Sequence, residues 1–121
     1  MKYFYIDGDD IGLRIEKCFM DNNETNLMQI NELVNNLVQS ITEYIIGNNG
    51  NIIFSGADGI ICKSKQLEAD DIHKFIREQT NDITFSIGVG YNLNSSFLAL
   101  RYAKANGKNT AFLYDKNFKH I

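Results

Sequence analysis

The chain has only two cysteines, two histidines and no tryptophan among its 121 residues. Cys18 and Cys62 stand far apart in no metal-ligand spacing, so buried free thiols in a reducing cytosol are expected. His73 and His120 are equally isolated. Ser55, Ser86 and Ser95 have no base partner in the pattern, so a hydrolase triad has no support. Net charge is also small, with 12 basic residues against 15 acidic ones and a formal value of −3. That argues against an extended nucleic-acid surface, although one or two nucleotides could still find a pocket. No apolar run is long enough to span a bilayer. The segment from Met1 to Ile6 reaches an acidic turn too soon for a secretory signal. A cytoplasmic protein without direct membrane binding is expected. Linkers, repeats and low-complexity stretches are missing, which makes residues 1–121 a single domain.

What is present suffices for a core. Apolar residues make up 44% of the chain, and Phe and Tyr supply the large side chains. Residues 2–7 read as a strand buried in mid-sheet, and residues 11–20 as a short helix. Leu27, Ile30, Leu33, Val34, Leu37, Val38, Ile41 and Ile45 recur at steps of three and four, which predicts an amphipathic helix over residues 25–46. The stretch Gly47-Asn48-Asn49-Gly50 ends it. Two apolar runs, 51–54 and 60–63, flank a Gly-rich turn and predict a hairpin. A third helix is expected over 69–79, a strand over 83–89, a last helix over 94–105 and a final strand over 111–114. The fold class is α+β. The centre of the order, βαββαβ, is the ferredoxin-like pattern, with a helix and a strand added at the C-terminal end.

In that topology a right-handed crossover makes the first two strands parallel and places the third between them. The end of strand one then lies beside the turn joining strands two and three. Asp7-Gly8-Asp9-Asp10 occupies the first place and Gly56-Ala57-Asp58-Gly59 the second. Asp7 and Asp58 could hold two divalent cations, about 4 Å apart in typical sites of this kind. The Gly8 carbonyl is a further candidate ligand, and Asp9 and Asp10 could add another or orient water. Mg2+, with Mn2+ as a substitute, suits a few carboxylates plus substrate phosphates. Gly8, Asp9, Asp10, Ile11 and Gly12 open a helix whose N–H groups could cradle phosphates. Lys104 and Lys108, around the end of the last helix, are candidate phosphate contacts. Arg14 is expected to be solvated or ion-paired.

Four motifs in order resemble GGDEF-like nucleotide cyclases. They are Ile6-Asp7-Gly8-Asp9-Asp10-Ile11-Gly12, Ser55-Gly56-Ala57-Asp58-Gly59, Ser86-Ile87-Gly88-Val89-Gly90 and Ala103-Lys104-Ala105-Asn106-Gly107-Lys108-Asn109. In size and motif the chain is similar to the minimal CRISPR polymerases, stand-alone palm domains. The resemblance implies a metal-dependent nucleotidyltransferase that joins nucleoside triphosphates, with ATP expected, into cyclic oligonucleotides for anti-phage signalling. By the same resemblance Asp7 and Asp58 are the catalytic metal-binding aspartates, Gly8 lends its carbonyl and Lys104 contacts phosphates. The product would act on a separately encoded effector, often membrane-associated. Since ring closure needs two nucleotides held head to tail, a homodimer is expected.

The chain departs from that pattern at the hairpin. Relatives carry Gly-Gly-Asp-Asp or Gly-Gly-Asp-Glu-Phe, whereas here Ala57 replaces a glycine and Gly59 stands where a second acid is usual. Ile15 falls where diguanylate cyclases place a guanine-reading asparagine, which weakens the case for GTP. Two alternatives follow from other classes. A degenerate palm would bind nucleotides or cyclic products without making them. A receiver domain would accept phosphate on Asp58, but it needs a further strand where the long helix lies.

Overall fold

The computed structural model describes residues 1–121 and has the element order expected, with one strand more. Strand β1 (Lys2–Gly8) leads into helices α1 (Ile11–Met20) and α2 (Glu24–Gly47). The hairpin β2 (Asn51–Gly56) and β3 (Gly59–Ser64) follows, then α3 (Ala69–Gln79) and β4 (Phe85–Gly90). Helix α4 (Leu93–Ala105) and strands β5 (Ala111–Asp115) and β6 (Asn117–His120) complete the chain. All strands form one sheet in the order β2-β3-β1-β4-β5-β6. Strand β3 pairs antiparallel with both β1 and β2, and β4 pairs antiparallel with β1. This is the ferredoxin-like arrangement expected of the βαββαβ order.

Strand β5 runs parallel to β4 after the α4 crossover, and β6 turns back on β5. Sequence pattern ended the sheet at Tyr114 and missed β6. All four β6 residues are exposed, so no apolar alternation marks it. Backbone pairing holds the strand, and Phe118 stacks on Tyr102 with ring centroids 4.0 Å apart.

Helices pack on both faces of the sheet, three on one and α4 against β4, β5 and β1 on the other. Phe4 and Ile6 of β1 join Ile60, Cys62, Phe85, Ile87 and Val89 in the main core, against Ile11, Val34, Ile41, Ile72 and Ile76 of α1, α2 and α3. The opposite face of β4 receives α4. A Cβ on Gly88 would lie 2.2 Å from the Ser96 carbonyl oxygen, and one on Gly90 2.6 Å from the Ser96 nitrogen. These glycines let the helix backbone lie directly on the strand. No helix is long and apolar enough to cross a membrane.

His73 on α3 is buried, and its Nε2–H donates to the Phe85 carbonyl at 2.7 Å. Burial lowers its pKa below the ordinary 6.5; the hydrogen bond to Phe85 opposes the shift without reversing it. The unfolded chain therefore takes up this proton first. Stability is expected to be full above pH 6.5 and to fall as pH drops through the window below it. Urea midpoints at neutral and mildly acidic pH would show the slope, and His73→Gln is expected to remove this part of it.

Candidate functional site

The two acidic turns meet as the topology requires. Asp7 pairs across the sheet with Gly59, and the Gly8 N–H donates to the Asp58 carbonyl at 3.0 Å. Gly8 is needed for close approach. A Cβ there would lie 2.9 Å from Ile11 Cγ1 and 3.5 Å from Asp58 Cβ. Burial raises the Asp7 pKa above the ordinary carboxylate value, and the nearby Asp58 charge raises it further; Lys104 opposes both.

Two carboxylates that repel one another beside a backbone carbonyl form a hard-oxygen donor set that fits Mg2+ or Mn2+. No three Asp, Glu, His or Cys side chains group to hold an ion by themselves. The protein thus offers a partial shell, the kind that Mg2+ completes with phosphate oxygens and water.

Asp9 and Asp10, considered from sequence as further ligands or water-orienting groups, differ in their surroundings. The Asp9 side chain is only 2% exposed. Its carboxylate accepts from Thr84 Oγ1 (2.7 Å), Ser86 Oγ (2.7 Å), Lys104 Nζ (2.8 Å) and the Asn109 N–H (2.9 Å). Burial alone would raise its pKa; these hydrogen bonds together outweigh burial and hold it below the ordinary value. Asp9 therefore ties β1, β4, α4 and the α4–β5 loop together. Asp10 adopts φ 59° at the start of α1 and pairs with Lys108. The Asp9 carboxylate is thus fully engaged within the protein, whereas the exposed Asp10 carboxylate holds only Lys108.

Lys104 reaches the centre of the site. Its ammonium donates to the carbonyls of Gly8 (2.9 Å) and Asp7 (3.3 Å) as well as to Asp9, and lies 3.2 Å from Asp7 Oδ2. Lys108 stands at the rim on Asp10. Arg14 is ion-paired with Asp82 at 2.9 Å, as expected, and is not turned to the site.

Helix α1 begins without a side-chain cap and has no acid in its first turn. Asn23 and Asn92 cap α2 and α4, while α3 also starts without a side-chain cap but carries Asp70 and Asp71 in its first turn. The first N–H groups of α1, around Ile11 and Gly12, thus have no side-chain partner. A cavity of about 270 Å³ opens alongside, lined by Ile11, Ile15, Val34, Asn31, Asn35 and Asp58 among others. Sequence reading passed over Asn31 and Asn35. Their i, i+4 spacing on the polar side of α2 looks like ordinary helix surface until the hairpin is placed against it.

The hairpin departures have structural correlates. A Cβ on Gly59 would lie 3.1 Å from Asp7 Oδ1, so any acid there would crowd Asp7. Ala57 has φ 50°, in the left-handed region where a side chain is unfavourable. Ala57→Gly is expected to stabilise the fold by about 1 kcal/mol. Urea denaturation checks this as a raised midpoint at unchanged slope.

A family model for the minimal CRISPR polymerase domain matches residues 3–114. Among solved structures, the fold is similar to a diguanylate cyclase/phosphodiesterase from Caldicellulosiruptor saccharolyticus. The TM-score is 0.69 at 17% identity, over 98% of this chain and 78% of that one. It is also similar to the active GGEEF domain of a diguanylate cyclase from Vibrio cholerae, with TM-score 0.60 and 17% identity over 96% and 83% of the two chains. The adenylyl cyclase CyaB from P. aeruginosa matches with TM-score 0.59 and 10% identity, over 95% and 76%. No curated protein sequence matches the chain.

Proposed function

The chain belongs to the minimal CRISPR polymerase domain family, and from that premise we propose that it is a metal-dependent nucleotidyltransferase that makes cyclic oligoadenylate from ATP. The observation that carries the proposal is the convergence at one sheet edge of Asp7, Asp58 and the uncapped start of α1, with a cavity beside them. At about 270 Å³ that cavity suits a base rather than a whole nucleotide. Its lining is apolar enough to take a purine face, and the amides of Asn31 and Asn35 stand at its edge. An asparagine amide offers a donor and an acceptor together, so Asn31 and Asn35 can pair with a purine edge, while ATP is preferred because Ile15 stands where a guanine-reading asparagine would be.

Asp7, Asp58 and the Gly8 carbonyl would hold Mg2+, or Mn2+ in its place. When bound, that cation makes a ribose hydroxyl more acidic and neutralises charge gathering on the phosphates. The chain's own groups supply the rest. The first N–H groups of α1 and the ammonium groups of Lys104 and Lys108 orient the β- and γ-phosphates. The base cavity fixes the nucleoside. The ribose oxygen would then form a bond to the α-phosphorus as the bond to pyrophosphate breaks, with the hydroxyl proton passing to solvent water. One site holds one nucleotide, so two copies of the chain facing each other would present two nucleotides head to tail. The product would signal in anti-phage defence through a separate effector.

The test is incubation with each of the four nucleoside triphosphates and Mg2+ or Mn2+, followed by mass spectrometry and nuclease digestion of the products. A cyclic adenylate and pyrophosphate are expected. The lack of a second hairpin acid at Gly59 favours a second reading, a palm that binds nucleotides without turnover. Calorimetric binding of ATP with no product under any of these conditions would establish it.

A further inference from the structure

Lys104 lies against the oxygens assigned to the cation. Its ammonium is 2.9 Å from the Gly8 carbonyl and 3.2 Å from Asp7 Oδ2. A divalent ion on those oxygens would meet the ammonium at contact distance, and the two positive charges would repel. The bond to Asp9 is different. Asp9 is buried, is held by Thr84, Ser86 and the Asn109 N–H, and lies outside the proposed ligand set. Lysine carries three donors on a flexible stem, so it can release Gly8 and Asp7 while keeping Asp9.

We propose that Lys104 is an internal counter-cation, which competes with the divalent ion for Asp7 and Gly8 and, once displaced, pivots on Asp9 toward the nucleotide phosphates. The proposal rests on the metal-dependent reading of this site. Free metal ions then bind weakly, because they must expel the ammonium into solvent. A metal–nucleotide pair binds better, because its phosphates receive the group that its metal displaces. The site thereby selects the loaded nucleotide over the free ion.

The test measures Mn2+ binding by electron paramagnetic resonance in the protein without nucleotide. Lys104→Met is expected to bind Mn2+ about tenfold more tightly than the natural chain, the effect of removing one positive charge a few ångström from a divalent ion near solvent. Binding that is unchanged or weaker in Lys104→Met, yet still lost in Asp7→Ala, overturns the proposal and leaves the metal reading intact. Mn2+ binding that ignores Asp7→Ala overturns the metal reading and this proposal with it. Lys104→Met deprives buried Asp9 of its cation and costs the fold stability, so the natural chain supplies a second measurement. Mg2+ titration should shift the Lys104 side-chain ammonium signal in nuclear magnetic resonance and speed its proton exchange. An ammonium signal that stays fixed while the Gly8 and Asp58 amides shift overturns the proposal.

Discussion

Asp7→Ala is expected to abolish synthesis of cyclic product, lowering kcat/KM by about 1,000-fold or more while leaving the fold intact. Losing a ligand from a shell with only two carboxylates and a carbonyl should forfeit most of the cation's contribution, which is several kcal/mol in metal-assisted transfers. The fold should survive for a reason visible in the charges. Burial and Asp58 both raise the Asp7 pKa, so its ionised form is held at a cost. Removing it relieves Asp58, and Lys104 keeps its ion pair with Asp9 at 2.8 Å. Thermal unfolding of Asp7→Ala is therefore expected near or slightly above that of the natural chain. Asp58→Ala should lose activity in the same way. Product formation over a time course, alongside melting curves, checks both variants. Full activity in either would overturn the metal-site assignment.

Most of the scaffold was legible because its elements bury one face. The i, i+3, i+4 apolar series from Leu27 to Ile45 placed α2, and residues 69–79 coincide with α3. The order of elements then brought Asp7 beside Asp58, since right-handed crossovers leave little choice of strand order. Legibility ended where tertiary partners decide a residue's role. Asp9 reads from the chain like its neighbours Asp7 and Asp10, an acid in an acidic turn. Its different role is set by Thr84, Ser86 and Asn109, all remote in sequence. A faint signal existed. Ser86 is a hydroxyl residue within a strand buried on both faces, and a buried hydroxyl requires a partner. Strand β6 and the cavity asparagines were hidden for the opposite reason. Their residues are exposed, so hydrophobic periodicity carries no trace of them.

Gly88→Ala is expected to be the most damaging of the glycine-to-alanine changes in this chain. Its Cβ would fall 2.2 Å from the Ser96 carbonyl oxygen and 2.3 Å from the Leu100 nitrogen. Both atoms belong to the α4 backbone, so no side chain can rotate away, and the helix must lift from β4. Overpacking of this kind costs about 3 kcal/mol or more, at the upper end of its usual range. That is a large share of the roughly 5–15 kcal/mol that holds a domain together. The consequence for the site follows from the same displacement. Helix α4 carries Lys104, whose contacts with Gly8 and Asp9 are shorter than 3 Å and cannot survive a shift of an ångström. Gly88→Ala should therefore lose stability and activity together, whereas Asp7→Ala loses activity alone. Ile87→Val supplies the control. It lies in the main core on the other face of the same strand, so it should cost about 1 kcal/mol and leave α4 in place. Urea denaturation and product assays on the three variants separate the two effects. If Gly88→Ala proved as stable as the natural chain, α4 would not rest on β4 as closely as its backbone contacts require.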